Sequence, residues 1–412
     1  MAASPYVVES AALGADDAVA ASERITIGFL GVGSQGIGRN LRMFLGQKDA
    51  QPVALCDVDS RQIDRALQVT RGKFGEDYKC QTTKDWREVI DRDDVDAVMI
   101  STPDQWHVPM SLAAVRSGKD VICEKPTLTV AEGRVLADAV EQFDAVFQTA
   151  TEDRSLAVYH RMAELVRNGR IGKLQRIFVK LPSGPGHPGD PATKPVPQGF
   201  DYNMWLGPAP WKPFRTGLHP FHWRWVRDYS GGQLTDWGTH LLDTAQWAND
   251  TERSGPVEVE GTGTRHESGL YDTYHQYDLK YKYADGVEMQ VQSGGVALRL
   301  EGSEGWIANN GWIGKLQASS PEILGSKIGP DEIKLFTCPA GEHRNFLDCV
   351  KSRRDPYFPA EIGHRCASLS HIGNIAMDLG RKLRWDPNKE LFIDDTTADR
   401  LLQRAAREWW AA

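Results

Sequence analysis

The sequence predicts an α/β protein: an N-terminal doubly wound parallel sheet, followed by an α/β domain built on a large, mostly antiparallel open sheet. Three observations carry that reading. From Arg24 to about residue 150, short apolar strands alternate with helical patterns, the alternation that builds parallel βαβ units. A glycine turn, Gly31-Val-Gly33-Ser-Gln-Gly36, joins the first strand to the first helix. After residue 256 the pattern changes to period-two segments, with Asp285-Gly286 between two of them as a hairpin turn.

At 412 residues the chain is long enough for two domains. Residues 24–150 make the first domain and 151–412 the second, which ends in helices. Residues 1–23 are Ala-rich and unpatterned. They resemble the end of an export leader whose twin-arginine start has been removed, or a natural disordered terminus. The first reading places the protein in the periplasm or outside the cell, the second in the cytoplasm.

A composition of 41% hydrophobic and 25% charged residues is that of an ordinary globular protein. The net charge of −8 withholds the attraction that a phosphate backbone requires, so no nucleic-acid partner is expected. No apolar run approaches the roughly 20 residues of a membrane span, so no membrane partner is expected either. A small molecule remains as the partner. The six cysteines show no C-x-x-C spacing, and no metal is expected.

Taken in order, Ile25 to Leu30 is a strand, Gly31 to Gly36 the turn, and Ile37 to Leu45 a helix. Gly31 permits the tight turn, Gly33 lets the backbone approach a pyrophosphate, and Gly36 packs helix on sheet. The helix N-terminus, beginning beside Ser34 and Gln35, supplies N–H donors to that phosphate. A second strand, Pro52 to Cys56, ends in Asp57, near the spacing of a ribose-binding acid. Asp57 would repel a 2′-phosphate, which favours NAD over NADP.

A helix follows from Arg61 to about Phe74, then a short strand near Cys80 and a helix from Trp86 to Ile90. The strand Ala97 to Thr102 ends in Thr102-Pro103-Asp104, which could close over the nicotinamide ribose. A helix starts near His107, a further cofactor candidate. The apolar run from Val121 is a buried strand that delivers Glu124, Lys125 and Pro126 at its carboxyl end, the ligand-facing end of a parallel sheet. A helix from Val130 to Gln142 and a strand from Ala145 to Gln148 complete the alternation, with Gln148 another cofactor candidate.

Ser155 to Asn168 is a helix and Leu174 to Leu181 opens the second sheet. Residues 182 to 215, rich in Pro and Gly, are too long for a passive connection and form a lid or a packed Ω-type loop. Six of the thirteen Trp fall between residues 205 and 247, as a core or a stacking surface. Read as one helix from Leu234, the segment to Ala248 places Asp236, His240, Asp243 and Trp247 on one face. Asp236 and His240 are then i,i+4 neighbours, so the carboxylate would raise the imidazole pKa. Strands recur at 257–260, 274–283, 287–292 and 297–301, and helices at 344–351, 362–379 and 397–408.

With Gly31-x-Gly33-x-x-Gly36, Glu124-Lys125-Pro126, and Gly231-Gly232 through Asp236-x-x-x-His240 in this order, the chain resembles the Gfo/Idh/MocA family of NAD(P)-dependent sugar and cyclitol oxidoreductases. The resemblance covers roughly residues 24 to 385. It implies a Rossmann domain, a C-terminal α/β domain whose open sheet mediates homo-oligomerisation as a dimer or tetramer, and an active site between them. Lys125 matches the family lysine, and Asp236 and His240 its D-x-x-x-H pair. Trp205-Leu-Gly-Pro-Ala-Pro210 and His343 to Cys349 look like a subgroup often exported with a twin-arginine leader.

The chemistry this implies is oxidation of a sugar carbinol. His240 would take the hydroxyl proton, Lys125 would stabilise the developing alkoxide, and Asp236 would orient the imidazole. Trp205 and Trp237 would stack on the sugar, and Arg154, His222 and Arg224 could bind its hydroxyl or anionic groups. Three rivals remain. The first is a redox-neutral glycoside hydrolase or epimerase that keeps NAD bound. The second is a zinc hydrolase using His219, His222, Asp236 and His240, and the third a nonenzymatic NAD-binding module.

Overall fold

The computed structural model of the protein describes residues 19–407. The leader reading of residues 1–23 lies, up to residue 18, outside the described residues. Six strands form the first sheet: β1 (Ile25–Leu30), β2 (Ala50–Cys56), β3 (Gln81–Thr83), β4 (Ala97–Ile100), β5 (Asp120–Glu124) and β6 (Phe147–Ala150). Their order is β3-β2-β1-β4-β5-β6 and each neighbouring pair is parallel. Helices cover both faces, which is why β4 is apolar throughout and wholly buried. The strand order reverses between β1 and β4, the switch point where an open parallel sheet leaves its ligand crevice.

Short polar side chains set the helix starts. Asp59 accepts from Arg61 N ahead of the Ser60–Phe74 helix, and Thr129 accepts from Glu132 N ahead of Val130–Gln142. Two details differ from expectation. The first helix begins as a π-helical turn, Gly36–Leu41, and becomes α-helical only over Arg42–Leu45. The sixth strand lies two residues later than its apolar run suggests, so its carboxyl end is Ala150 rather than Gln148.

The second sheet has nine strands: β7 (Leu174–Leu181), β8 (Glu258–Thr264), β9 (Gln276–Lys282), β10 (Glu288–Ser293), β11 (Ala297–Gly302), β12 (Trp306–Asn310), β13 (Gln317–Ala318), β14 (Leu383–Asp386) and β15 (Leu391–Phe392). They are ordered β13-β12-β11-β7-β10-β9-β8-β14-β15, with β7 and β10 parallel and the remaining pairs antiparallel. Tyr277, Leu279 and Tyr281 of β9 point into the core while Lys280 and Lys282 face outward. The apolar face packs on the helices Ala157–Arg167, Gly238–Ala248 and Ala360–Leu379. Tyr283 and Val287 close the expected hairpin, with Gly286 at φ 91.

Two expectations for helices are corrected. The segment from residue 234 is two helices, Gln233–Asp236 and Gly238–Ala248, rather than one. The Thr239 hydroxyl donates at 2.9 Å to Thr235 O, the carbonyl that a continuous helix would give to Thr239 N. The helix expected from Thr397 to Glu408 is a single turn, Thr396–Asp399, followed by a 3-10 turn, Arg400–Leu402; Glu408 lies outside the described residues. The tail instead runs on in irregular form, and Arg407 Nε donates to Gly207 O at 2.7 Å.

Candidate functional site

The carboxyl ends of β1, β2, β4, β5 and β6 open onto a cleft of about 400 Å³ whose far wall comes from residues 204 to 240. The glycine turn forms its floor. Gly31 sits at φ 85, and a Cβ there would lie 2.7 Å from Ser101 O. At Gly36 a Cβ would meet Gly31 O at 2.4 Å, whereas at Gly33 it would meet nothing within 4 Å. Gly31 and Gly36 are therefore fixed by the turn itself, and Gly33 leaves backbone open toward the cleft.

Asp57, at the end of β2, buttresses that turn: Oδ2 accepts from Val32 N and Oδ1 from Asp59 N, both at 2.9 Å. Burial pushes its carboxyl up to about 6 despite these two N–H groups. Each oxygen keeps a lone pair for a ribose hydroxyl. Glu124 accepts at Oε1 from Gln35 Nε2 at 3.0 Å and Asn40 Nδ2 at 2.9 Å, bolting the first helix to the end of β5. Ser34, Thr102 and Pro103 also line the cleft. The buried Thr102 hydroxyl has no hydrogen-bond partner among the described residues, which suits a cleft built to receive a polar ligand. The donors, the open backbone at Gly33 and the carboxylate at Asp57 fit a dinucleotide.

Lys125 follows β5 and reaches across the cleft. Its Nζ donates to Asp236 Oδ1 at 2.6 Å and to Asp236 O at 2.8 Å. Burial would raise the Asp236 pKa, but the Lys125 ammonium, and Arg224 with its Nε at 3.6 Å, hold it well below the usual carboxylate range. Arg224 in turn lies over the Trp223 ring at 4.3 Å and the Phe221 ring at 4.4 Å.

The expected pairing of Asp236 with His240 is not formed. His240 Nδ1 lies instead 2.7 Å from Asp153 Oδ2, a carboxylate on the 3-10 turn directly after β6. Burial pushes the imidazole pKa down, but Asp153 and Glu152 more than offset this and leave it above the ordinary histidine value. The break at Trp237 explains the exchange, because it ends the i,i+4 geometry that would have put Asp236 over His240. In the sequence Asp153 shows only as the middle of Glu152-Asp153-Arg154, a polar triplet at a strand end in which Arg154 has the more obvious ligand chemistry.

That neighbour, Arg154, is not a substrate group. It is buried with bidentate contacts to Asp243 at 2.7 and 2.8 Å and a third to Glu252 at 2.6 Å. Asp243 and Trp247 are accordingly interior, not on an open face. Gln148 is fully buried behind the cleft, and its Nε2 donates to Thr149 O, because the strand runs two residues further than expected. His222 is exposed beside Tyr271, outside the cleft, whereas His219 lines it. His107 lines the cleft but is held between Pro126 O at 2.7 Å and Thr102 O at 2.8 Å, bracing both strand ends.

Of the tryptophans, Trp223 and Trp225 form a local core with Phe200 and Tyr229. Trp205 belongs to the same core with one edge on the cleft. Trp237 faces the cleft and packs on His240 at 5.8 Å, backed by Trp312 at 5.3 Å, an aromatic that the sequence did not single out. The four residues of the zinc reading do not converge, since His222 lies outside and Asp236 is engaged by Lys125. Ligand atoms of Glu152, Asp153 and His240 fall within 4.8 Å of one another, but there the imidazole Nδ1 is already committed to Asp153.

The long loop is exposed over residues 191 to 196 and packed from Gly199 on. Asp201 N donates to Val58 O at 2.8 Å, Ser60 N to Gly199 O at 3.1 Å, and Lys84 Nζ to Gly199 O at 2.8 Å. Gln105 Nε2 and Trp106 Nε1 each donate to Trp205 O at 3.1 Å. Residues 199 to 207 thus lie as a strap along the β2 and β4 edge of the cleft.

Comparison with known proteins places both halves. Residues 25–151 match the model of an oxidoreductase family's NAD-binding Rossmann fold, and residues 189–412 that of its C-terminal alpha/beta domain. A levoglucosan dehydrogenase from Pseudarthrobacter phenanthrenivorans is 25% identical over 232 residues, 55% of this chain and 51% of that protein. An alpha-N-acetylgalactosaminidase from Shewanella oneidensis is 34% identical over 123 residues, 29% of this chain and 27% of that protein. The chain thus spans about a quarter of the length of the first curated relatives it matches. Among solved structures, an aldose-aldose oxidoreductase from Caulobacter crescentus superposes with a TM-score of 0.65 at 18% identity, covering 88% of this chain and 99% of that one. A levoglucosan dehydrogenase crystallised with NADH and L-sorbose gives 0.63 at 20% identity, covering 88% and 99%.

Proposed function

The chain belongs to the Gfo/Idh/MocA family of oxidoreductases, and on that premise we propose that it oxidises a carbinol of a sugar or glycoside with NAD as hydride acceptor. The observation that carries this is the meeting of Lys125 and His240, from opposite walls, in the cleft that the glycine turn floors. Gly31 to Gly36, Asp57 and Thr102 would hold the cofactor, which when bound would supply the hydride acceptor.

The protein's own groups handle the proton and the charge. His240 takes the hydroxyl proton through its cleft-facing nitrogen. The Lys125 ammonium, fixed by Asp236, sits where negative charge grows on the sugar oxygen and stabilises it. Trp237 offers its ring to the C–H face of the sugar, and Arg224 offers donors beside Asp236. Purified protein would be tested against a panel of sugars and glycosides while NADH absorbance is followed. No turnover with any of them, despite bound NAD, would sink this reading.

A second reading, redox-neutral glycoside cleavage or epimerisation with retained NAD, is favoured by one feature, the strap at residues 199 to 207. Its hydrogen bonds to Val58, Ser60, Lys84, Gln105 and Trp106 close one side of the cleft and would slow cofactor exchange. Turnover without net NADH would decide for it. The proposal extends to a homo-oligomer assembled through the outer face of the nine-stranded sheet, where Glu258 and Glu260 alternate with Lys280 and Lys282. Light scattering on the eluting protein would test that assembly. Export to the periplasm is proposed with it, and cell fractionation would test it.

A further inference from the structure

We propose that Asp153 is the positioning residue for His240, and that Asp236 positions Lys125 instead. This rests on the reading of His240 as the base. Asp153 is fully buried, and an ionised carboxylate can only accept. With Oδ2 at 2.7 Å from Nδ1, the proton of neutral His240 must sit on Nδ1. Nε2 is then left as the lone pair, the form a base needs.

The carboxylate is itself held rigidly. Leu156 N donates to Asp153 O at 3.0 Å, and the next side chain, Arg154, is locked by Asp243 and Glu252. Asp153 Oδ1 has no hydrogen-bond partner among the described residues. A buried carboxylate so poorly satisfied gains most when its neighbour becomes cationic, which is the state of His240 after it accepts a proton. The other charged groups facing the imidazole are Lys125 from the end of β5, Glu152 beside Asp153, and Asp236 from the preceding helix. Arg39 partly neutralises Glu152 at 3.4 Å, and Trp237 and Trp312 pack uncharged rings on the imidazole.

The two acid–base groups therefore have separate carboxylates that cross the cleft in opposite senses. Lys125, after β5, is fixed by Asp236 from the far wall. His240, on the far wall, is fixed by Asp153 after β6. A single D-x-x-x-H pair serving His240 would leave Lys125 unanchored and Asp153 as a buried charge without a purpose.

The test is Asp153→Asn in the full chain, compared with Asp236→Asn and His240→Asn. The amide cannot stabilise imidazolium and favours the opposite tautomer. Turnover should fall roughly 100-fold or more with KM little changed. NAD affinity, read by tryptophan quenching, should hold, and the rising limb of the kcat/KM profile should move toward lower pH. Asp236→Asn should lower the plateau and move that limb much less, since Asp236 makes no hydrogen bond to the imidazole. A wild-type rate and profile for Asp153→Asn overturns the proposal. Full activity in His240→Asn sinks the base reading instead, a distinct result. If Asp153→Asn does not fold, nitrogen-15 NMR of wild-type His240 decides: a neutral ring protonated on Nε2 overturns the assignment, and one protonated on Nδ1 sustains it.

Discussion

Lys125 Nζ holds Asp236 twice, through the side chain at 2.6 Å and the backbone carbonyl at 2.8 Å, so one ammonium ties the end of β5 to the last residue of the short helix that precedes the one carrying His240. The contact belongs to binding geometry and chemistry together. Removing the ammonium leaves a buried carboxylate faced by Arg224 and His240, neither hydrogen-bonded to it, and removing the carboxylate frees the ammonium to swing. Lys125→Met and Asp236→Asn should each lower turnover by about 100-fold or more, and the double variant should be far less than multiplicative. Multiplicative losses in steady-state kinetics would mean that the two side chains act independently.

Asp57 yields a pH prediction for the cofactor. Burial raises its carboxyl to about 6, so the carboxylate that accepts from Val32 and Asp59 is ionised above that pH and protonates below it. NAD affinity, measured by fluorescence titration, should therefore weaken as pH falls through 6. In Asp57→Asn that pH dependence should vanish, and the preference for NAD over NADP should narrow. A wild-type affinity that stays flat from pH 8 to 5 would remove Asp57 from the ribose site.

A second pH effect concerns stability. Asp49 accepts from Arg344 at 2.7 Å and Lys351 at 2.5 Å, docking the Glu342–Ser352 helix beneath the first sheet. Burial would raise its pKa, but these two cations depress it to about 2 from 3.8. The stabilisation is fully present above pH 3.8 and is lost as pH falls through about 2. Since Lys351 is partly exposed, the effect is on the order of 1–2 kcal/mol. Denaturation in urea at pH 7 should show that loss for Asp49→Asn, and the deficit should shrink toward pH 2.

The glycine turn, the end of β5 and the positions of Lys125 and His240 are legible because each is fixed within a few residues of sequence. A turn that needs Gly31, or a strand that must end before Lys125, leaves its mark locally. What failed was set at long range. Arg154 looked available because Asp243 and Glu252, which neutralise it, lie 89 and 98 positions away. Gln148 was misplaced by a strand end shifted two residues, and Asp153 was hidden because the Asp236–His240 spacing presumes an unbroken helix. The aromatic-rich stretch from 200 to 229 could be a core or a platform, and only packing shows it to be mostly core.

The Glu342–Ser352 helix also makes a packing prediction. Phe346 and Leu347 are fully buried among Ile27 and Phe29 of the first sheet and Phe44 of the first helix, more than 300 positions earlier. Phe346→Ala should cost about 3–5 kcal/mol. The loss should appear in the unfolding of the dinucleotide-binding part, which could be followed as a lower midpoint for NAD release on heating. A loss that leaves NAD release unchanged would place this helix outside that cooperative unit.

The strap at residues 199 to 207 gives the sharpest test of cofactor retention. It ends at Gly207, whose backbone at φ 55 and ψ −128 is accessible to glycine alone, and a Cβ there would fall 2.3 Å from the Trp106 ring. Trp106 cannot retreat easily, since it is 2% exposed and packs against Trp86 at 5.8 Å. Gly207→Ala should therefore lift the strap from the edge of the first sheet without touching Lys125 or His240. If the strap retains NAD, the wild-type protein should emerge from gel filtration with close to one dinucleotide per chain. The variant should lose it at least about tenfold faster and regain turnover when NAD is added back. Wild-type protein that elutes free of nucleotide, or a variant that holds it as long, would leave the strap a structural brace and favour the simple dehydrogenase.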